Sequence, residues 1–176
     1  MRVLVTGAFG NVGTYAVKEL QARGAIVRCL DVPSRQSKKK ARQFGSALDI
    51  IWGDIRDREV VARAVNGVDA IVHLAFIIPP RSERNPKWAE TINVGGTWNL
   101  LQAGCASPRR PRIVFTSSIA LYGSTQHLAP PRRADEKLHP YEEYAYHKMT
   151  CEQMIHVAGL PWVILRFGAV PPIEVG

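Results

Sequence analysis

Six short apolar runs alternate with longer segments of mixed polarity along this chain. The runs cover residues 3–5, 25–31, 48–52, 68–75, 113–118 and 162–166. Near-continuous apolar runs of this kind are typical of parallel strands that are buried on both faces. Alternation of such strands with helices predicts an α/β fold, a doubly wound parallel sheet in three layers with right-handed crossovers.

The segments between the runs carry apolar positions at helical spacing. They predict helices over residues 14–23, 36–44, 57–65, 86–105 and 141–157. Residues 76–85 contain prolines and are predicted to form a loop. Residues 123–140 form a longer loop rich in proline and cations, and a long loop in a compact domain favours the border of an active site.

Three evenly spaced glycines follow the first apolar run. Gly7 would permit a sharp turn, Gly10 would let backbone N–H groups approach a pyrophosphate, and Gly13 would let the following helix pack closely on the strand. The helix N-terminus would add partial positive charge. The pattern G-x-x-G-x-x-G is one residue longer in its first gap than the general dinucleotide fingerprint, and an ordinary strand-to-helix turn is the alternative.

Asp31 ends the second apolar run, 18 residues after Gly13. A dinucleotide fold needs a carboxylate near this point for the adenosine ribose hydroxyls. The negative charge favours NAD, because the 2′-phosphate of NADP would meet it. Arg35 and the neighbouring lysines from Lys38 are cations that leave NADP open.

Composition narrows the possible classes. A chain of 176 residues with 46% hydrophobic and 22% charged content is typical of one globular domain. No run is long enough for a signal peptide or a membrane span, which predicts a cytoplasmic protein without membrane partners. Cys29, Cys105 and Cys151 share no close spacing and predict reduced packing residues rather than a disulfide framework or metal site.

The net charge of +8 raises the alternative of nucleic-acid binding. The cations are scattered over predicted loops and helix ends, without the interleaved aromatic side chains that stack on bases. A solvated surface that attracts anionic small molecules is therefore the favoured interpretation, with no nucleic-acid partner.

Tyr144 and Lys148 are four residues apart on a predicted helix and share one face. A lysine cation beside a phenol favours the phenolate and would lower the pKa of the tyrosine toward the range of a general acid/base. Ser118, at the end of the fifth run, could bind the same reacting oxygen, and Ser117 is the second candidate. A tyrosine-rich helix start with a solvated lysine is the alternative.

These motifs together resemble the extended short-chain dehydrogenases/reductases, the group that contains NAD-dependent sugar-nucleotide epimerases and dehydratases. The resemblance covers nearly the whole chain and rests on the following residues in order: Thr6-Gly7-x-x-Gly10-x-x-Gly13, Asp31, Gly53-Asp54, His73-Leu74-Ala75, Asn93-Val94-x-Gly96-Thr97, Ser117-Ser118 with Leu121-Tyr122-Gly123, and Tyr144-x-x-x-Lys148.

The resemblance implies a Rossmann-type domain over residues 1–176, truncated relative to the family and largely without its C-terminal substrate subdomain. It implies Tyr144, Lys148 and Ser118 as catalytic residues, with Tyr144 as the acid/base and Lys148 bound to the nicotinamide ribose. The implied cofactor-binding residues are Gly7, Phe9, Gly10, Asn11, Val12, Gly13, Asp31, Asp54, Ile55, Leu74, Ala75, Asn93, Tyr144 and Lys148. The implied activity is hydride transfer between nicotinamide and a carbinol or carbonyl carbon of a small molecule, with a sugar or sugar nucleotide as candidate.

Two departures leave alternatives open. Family members similar to epimerases commonly carry an asparagine that meets the substrate shortly after the sixth strand, where this chain has Ala169. The chain also stops at Gly176, before much of the family's substrate pocket. A dinucleotide-binding sensor without chemistry, or a cofactor-binding fragment with an incomplete substrate site, are therefore the rival interpretations.

Two predictions concern association. The resemblance implies a homodimer through the helices that bear Asn93 and Tyr144. A sixth strand without a covering neighbour would also leave an apolar sheet edge, which predicts self-association or poor solubility of the isolated chain. A monodisperse monomer in light scattering would contradict both.

Overall fold

Six parallel strands form one sheet in the order β3-β2-β1-β4-β5-β6 in the computed structural model, which describes residues 1–45, 48–124 and 129–170. The strands are β1 (Arg2–Thr6), β2 (Ile26–Asp31), β3 (Asp49–Trp52), β4 (Ala70–His73), β5 (Arg112–Ser118) and β6 (Trp162–Phe167). The predicted doubly wound parallel sheet is therefore confirmed. β4 is shorter than the predicted 68–75, because its pairing with β1 covers only Val3 to Thr6.

The helices flank these strands as predicted, with differences at their ends. They are α1 (Asn11–Ala22), α2 (Arg35–Ala41), α3 (Arg58–Val65), α4 (Arg81–Arg84), α5 (Pro86–Ala106) and α6 (Glu143–Val157). α1 begins at Asn11 rather than Thr14, because Gly10 is its extended N-cap residue. The short α4 differs from the sequence prediction, which places a loop over residues 76–85.

Each face of the sheet carries its own hydrophobic core. Leu4 packs in one cluster with residues of α3, α5 and α6, whereas its neighbours Val3 and Val5 pack in the other with Val17 of α1. Successive side chains of a strand point to opposite faces, so an all-apolar strand supplies both cores. This is why the apolar runs were continuous rather than alternating.

The strand order reverses between β1 and β4, which are neighbours in the sheet although β2 and β3 separate them in the chain. α/β sheets bind ligands in the crevice at such a switch point, at the carboxyl ends of the strands. The glycine turn follows β1, and residues 74–85 follow β4. Both segments therefore border the same crevice.

Several cations lie on the surface and two cysteines lie in the core, as the sequence predicts. Lys38, Lys39 and Arg112 are exposed. Cys29 and Cys151 are buried free thiols, and burial raises their pKa values to about 12 and about 11. Among the described residues, no helix combines the length and apolarity needed to cross a membrane.

β6 lies at one edge of the sheet, where its only partner among the described residues is β5. Trp162 and Leu165 of this strand are 44% and 41% exposed. The predicted apolar sheet edge is thus present, and self-association through it stays a prediction. The long loop at 123–140 is described except for residues 125–128, which lie outside the described ranges.

Candidate functional site

The glycine turn after β1 is built against the end of β4. Gly7 has a φ of 64°, in the left-handed region that favours glycine. A Cβ on Gly7 would come within 2.8 Å of the Ala75 backbone nitrogen. The turn thus brings the backbones after β1 and β4 into direct contact at the switch point, as the predicted role of Gly7 requires.

The other two glycines shape the start of α1. A Cβ on Gly13 would overlap the Gly7 carbonyl oxygen, so the first turn of the helix packs directly on the glycine turn. Gly10 is the exposed N-cap residue, without a side-chain cap, and the first turn, which begins with Asn11 and Val12, holds no acidic residue. A helix end of this kind presents partial positive charge to an anion, so these residues fit the pyrophosphate of a dinucleotide.

Asp31, at the end of β2, is joined to Phe9 of the glycine turn. The Phe9 backbone nitrogen donates to Asp31 Oδ2 at 2.7 Å, and the Val32 nitrogen donates to Oδ1 at 2.8 Å. Burial raises the pKa of Asp31, partly offset by these two bonds and by nearby Lys40. The Phe9 ring is buried against Trp52, with ring centroids 5.3 Å apart. Only the backbone of Phe9 is therefore placed to approach a ligand.

Asp54 and Ile55, two of the implied cofactor-binding residues, follow β3. The Asp54 carboxylate accepts hydrogen bonds from the backbone nitrogen, Nε and Nη2 of Arg56, and these hold its pKa below its ordinary value. The Ile55 side chain is buried in the core, and a Cβ on Gly96 of α5 would collide with it. The backbone of this pair remains as the part that can border a base.

Leu74 and Ala75 are organised by the end of β1. The Thr6 hydroxyl accepts hydrogen bonds from both backbone nitrogens at 3.2 Å. The same hydroxyl lies 2.7 Å from Nδ1 of His73, whose Nε2 lies 2.9 Å from the Thr97 hydroxyl. Burial lowers the pKa of His73 to about 3, so the histidine is a neutral packing group that connects β1, β4 and α5.

Ser118, Tyr144 and Lys148 come together at the carboxyl end of β5. Ser118 ends the strand, and its side chain lies beside the half-buried phenol of Tyr144. The Lys148 ammonium is buried, lies 5.8 Å from the Tyr144 ring centroid and donates to the Thr116 carbonyl at 2.5 Å. The structure thus brings the three predicted catalytic residues together.

The pKa of Tyr144 differs from the expectation. Burial raises the pKa of the phenol, and the neighbouring Ser118 hydroxyl only partly opposes this. Lys148 does not offset the burial, because its own pKa is lowered to about 7 by burial and its ammonium points at the Thr116 carbonyl and at two phenyl rings. In this arrangement the tyrosine is a protonated donor near neutral pH.

Phe76 is a site residue that sequence reasoning missed. Its ring centroid lies 3.5 Å from the Lys148 ammonium, and its ring meets the Tyr144 ring edge-on at 5.8 Å. An aromatic face attracts a cation. Its position directly after Ala75 was the available signal, but periodicity does not show which rings meet α6.

Ser117 and Ser118 point to opposite sides of β5, as neighbours on a strand must. Ser117 is buried beside the Glu152 carboxylate, whereas Ser118 lies beside Tyr144. Glu152 in turn forms an ion pair of 2.7 Å with Arg166. This placement favours Ser118 over Ser117 as the residue that meets a reacting oxygen.

Arg166 also holds the described part of the long loop. It donates to the Tyr122 hydroxyl at 2.9 Å and to the Ala134 carbonyl at 2.8 Å. The Tyr122 hydroxyl donates to the Arg133 carbonyl at 3.0 Å. The described part of the loop after β5 is therefore anchored to the sheet next to Ser118, and its place at the border of an active site stays a prediction.

Asn93, another implied cofactor-binding residue, is hydrogen-bonded to the segment after β4. It is fully buried on α5, and its amide accepts from the Ile77 nitrogen at 2.6 Å and donates to the Ile77 carbonyl at 3.0 Å. Its amide nitrogen also lies 3.3 Å from Nδ1 of His147 on α6. Asn93 therefore fixes the segment after β4 to the helix that bears Tyr144.

Comparison with known proteins gives one family match that spans most of the chain. The model of the NAD dependent epimerase/dehydratase family matches residues 3–170. Two curated relatives illustrate its range. A 3 beta-hydroxysteroid dehydrogenase/Delta 5-->4-isomerase of Mycobacterium tuberculosis is 36% identical in an alignment that covers 88% of this chain and 42% of that protein. A UDP-glucose 4-epimerase of Lacticaseibacillus casei is 32% identical in an alignment that covers 100% of this chain and 55% of that protein.

A solved structure of a family member has a similar fold. The UDP-glucose-4-epimerase of Stenotrophomonas maltophila, solved with bound NAD and formylated UDP-arabinopyranose, superposes with a TM-score of 0.83 at 28% identity. That similarity covers 94% of this chain and 52% of the other. The chain thus spans about half the length of the relatives that it matches.

Proposed function

Because the chain belongs to the NAD dependent epimerase/dehydratase family, we propose that it is the dinucleotide-binding domain of an NAD-dependent oxidoreductase or epimerase. The domain covers residues 1–176. Its partner molecules are NAD and a small substrate with a carbinol or carbonyl carbon. The bound nicotinamide would supply the hydride acceptor and donor.

One observation carries the proposal. The Ser118 hydroxyl, the Tyr144 phenol and the Lys148 ammonium converge at the carboxyl end of β5, next to the strand-order switch where the open glycine turn lies. A sensor that only binds a dinucleotide has no need of a hydroxyl, a phenol and a buried amine in one corner. Their convergence therefore favours an enzyme over the sensor.

Each side chain has a distinct task in this proposal. Tyr144 moves a proton at its phenol oxygen to or from the reacting oxygen of the substrate. Ser118 donates a hydrogen bond to that oxygen and orients it. Lys148 supplies positive charge beside the phenol when it is protonated. Its pKa is lowered to about 7, so both of its protonation states are populated near neutral pH.

The cofactor assignment rests on the adenosine side. Gly10 and the first turn of α1 would hold the pyrophosphate, and Asp31 would accept from the ribose hydroxyls. The Asp31 carboxylate already accepts from Phe9 and Val32, and each of its oxygens retains a second lone pair for a hydroxyl. A 2′-phosphate would meet this negative charge, so we propose NAD over NADP.

The substrate class is proposed from the relatives together with one departure. By name, one relative acts on a 3 beta-hydroxysteroid and another on UDP-glucose. Sugar nucleotides remain the first class to test, although Ala169 stands near the position where an asparagine was expected. A hydroxysteroid panel is the necessary comparison, because both classes present a carbinol carbon.

The decisive experiment combines the Tyr144→Phe variant with calorimetric titration. We expect the wild-type chain to bind NAD, and we expect Tyr144→Phe to bind NAD within about twofold of wild type, because the phenol oxygen contributes little to cofactor affinity. Turnover on the sugar-nucleotide and hydroxysteroid panels should fall by about 100-fold or more, the scale of losing a general acid/base. Full turnover in Tyr144→Phe would contradict the proposed role.

The same titration separates the rival interpretation. NAD binding by wild type without turnover on either panel would favour a cofactor-binding part that lacks a complete substrate site. This outcome would fit the length of the chain, which covers only 42% and 55% of the two curated relatives. Absence of NAD binding would overturn the cofactor proposal itself.

A further inference from the structure

The helix that bears Tyr144 lacks a cap of its own. Its N-cap residue, Glu142, is extended and makes no side-chain hydrogen bond to the first turn. The first N–H groups of any helix have no partner within the helix, and an uncapped end frays. Tyr144 is the second residue of α6, so it lies in the turn that such fraying would release.

Glu83, from the short α4, supplies the missing cap. Its Oε2 accepts from the Glu143 nitrogen at 3.3 Å, and its Oε1 accepts from the Tyr144 nitrogen at 3.1 Å. Glu83 lies 60 residues before Glu143 and 61 residues before Tyr144 in the chain. A carboxylate at a helix N-terminus also complements the partial positive charge there.

The Glu83 carboxylate is itself held in place. The buried Ser82 hydroxyl donates to Glu83 Oε1 at 3.1 Å. At the other end of the same segment, the Phe76 ring contacts both Tyr144 and Lys148. The segment after β4 therefore meets the Tyr144 turn twice, once at its side chain and once at its backbone.

We propose that Glu83 is a positioning residue that holds the first turn of α6 and thereby keeps the Tyr144 phenol on Ser118. Tyr144 as the acid/base rests on the proposed function, but the cap itself does not. Glu83 acts only through the backbone of α6 and has no contact with the reacting oxygen in this role. Loss of the cap would free the turn and expose the phenol to water.

Three variants test the cap. Glu83→Ala removes both acceptors. Glu83→Gln keeps one carbonyl oxygen, which can accept from one of the two nitrogens. Glu142→Gln is the matched control, because it removes a negative charge at the same helix end from a side chain that caps nothing.

The first readout is amide hydrogen exchange of Glu143 and Tyr144, measured by NMR on the whole chain. We expect Glu83→Ala to speed exchange at these two amides by about fivefold or more, which corresponds to loss of a typical N-cap. Glu83→Gln should show an intermediate increase. Glu142→Gln should leave both rates within about twofold of wild type.

The second readout is the phenol titration of Tyr144, obtained as the ultraviolet difference between each protein and its Tyr144→Phe derivative. Burial is the main cause of the raised pKa of Tyr144, so exposure of the turn should shift this pKa downward toward 10. The shift should be largest in Glu83→Ala, smaller in Glu83→Gln and absent in Glu142→Gln. A purely structural role of Glu83 elsewhere would not move this titration.

Two results would overturn the proposal. One is unchanged exchange and titration in Glu83→Ala, and the other is an equal effect in Glu142→Gln. If Glu83→Ala fails to fold, Glu83→Gln decides by the same two readouts. Calorimetry with NAD keeps the two proposals apart, because a wild-type chain that binds no NAD refutes the proposed function while the exchange result still decides the cap.

Discussion

The two sides of the crevice are built from different parts of the chain. The glycine turn is made of backbone: Gly7, Gly10 and Gly13 lie within seven consecutive residues, and Gly7 and Gly13 leave no room for a Cβ. The Ser118 corner is made of side chains from three separate parts of the chain, with Ser118 on β5, Tyr144 and Lys148 on α6, and the segment after β4 against both. One side depends on the absence of side chains and the other on their precise placement.

This difference predicts different responses to substitution. On the backbone side a single added carbon has nowhere to go, because the neighbouring atoms belong to the chain itself. On the side-chain side a substitution leaves the fold intact and changes charge, protonation or orientation. Substitutions in the glycine turn should therefore mainly lower the free energy of unfolding. Substitutions of Ser118, Tyr144 or Lys148 should mainly lower turnover.

The largest effect is expected for Gly13→Ala. The new Cβ would overlap the Gly7 carbonyl and come within 2.8 Å of the Ala8 carbonyl carbon. α1 would have to move away from the turn, at a cost of about 3 kcal/mol in the free energy of unfolding. Urea denaturation measures this cost, and calorimetry should show loss of NAD binding.

Gly95→Ala is the matched control for Gly13→Ala. Gly95 lies inside α5, and nothing lies within 4 Å of a Cβ placed on it. Replacing a glycine inside a helix by alanine should stabilise the chain by about 0.5–1 kcal/mol. Equal destabilisation by the two substitutions would show that Gly13 is no more tightly packed than an ordinary helical glycine.

A smaller and pH-dependent effect is expected for Lys148→Met in the corner. Burial lowers the pKa of Lys148 from 10.5 to about 7, so below about pH 7 the folded chain carries a buried charge at a cost. The unfolded state binds more protons between these two values, and wild-type stability should therefore rise with pH across this range. Lys148→Met should be more stable than wild type by about 1–3 kcal/mol near pH 6.

Urea denaturation at pH 6 and at pH 9.5 checks this prediction. The advantage of Lys148→Met should shrink at the higher pH, where the wild-type amine is largely neutral in the folded state. The variant should lose turnover at both values. A stability difference independent of pH would mean that the lysine does not titrate in this range.

The smallest effect is expected for Lys40→Ala on the adenosine side. Lys40 Nζ lies 3.4 Å from the Gly10 carbonyl and partly offsets the charge of Asp31, whereas Lys38 and Lys39 of the same helix are exposed. Loss of this cation should weaken NADP binding by about two- to fivefold more than NAD binding, the scale of a surface charge pair. Calorimetry with both dinucleotides measures the ratio.

Lys39→Ala is the control for Lys40→Ala. It removes the same charge from the next position, away from the turn, so the ratio of NADP to NAD affinity should stay within about twofold of wild type. If both variants change this ratio equally, the effect comes from net charge and not from the position of Lys40.

The elements of the fold could be predicted because their signals are local. The continuous apolar run of β5, the glycine spacing and the four-residue step from Tyr144 to Lys148 are all contained within one strand, turn or helix. The ends were less accurate. α6 begins at Glu143 and not at Tyr141, because Glu83, 60 residues upstream, accepts from its first nitrogen.

The sequence predicted which side chains meet at the carboxyl end of β5, but not the direction of their pKa shifts. Ser118, Tyr144 and Lys148 were expected together, yet the lysine was expected to lower the pKa of the phenol. The structure shows a buried amine with a low pKa, directed at the Thr116 carbonyl and at the Phe76 ring. A pKa depends on burial from every direction, and burial cannot be obtained from spacing along one helix.

The amino-acid order alone determined the doubly wound sheet, the glycine turn and the position of Asp31 at the end of β2. Strand burial, left-handed turns and helix faces each depend on neighbours in the chain, so local patterns record them. Only the tertiary structure decided that Asn93 holds Ile77, that Ser117 faces Glu152 while Ser118 faces Tyr144, and that Glu83 caps the Tyr144 helix. These contacts join residues 16 to 61 positions apart. They exist because parallel strands bring distant loops to one edge of the sheet, and no local pattern records which of those loops will meet.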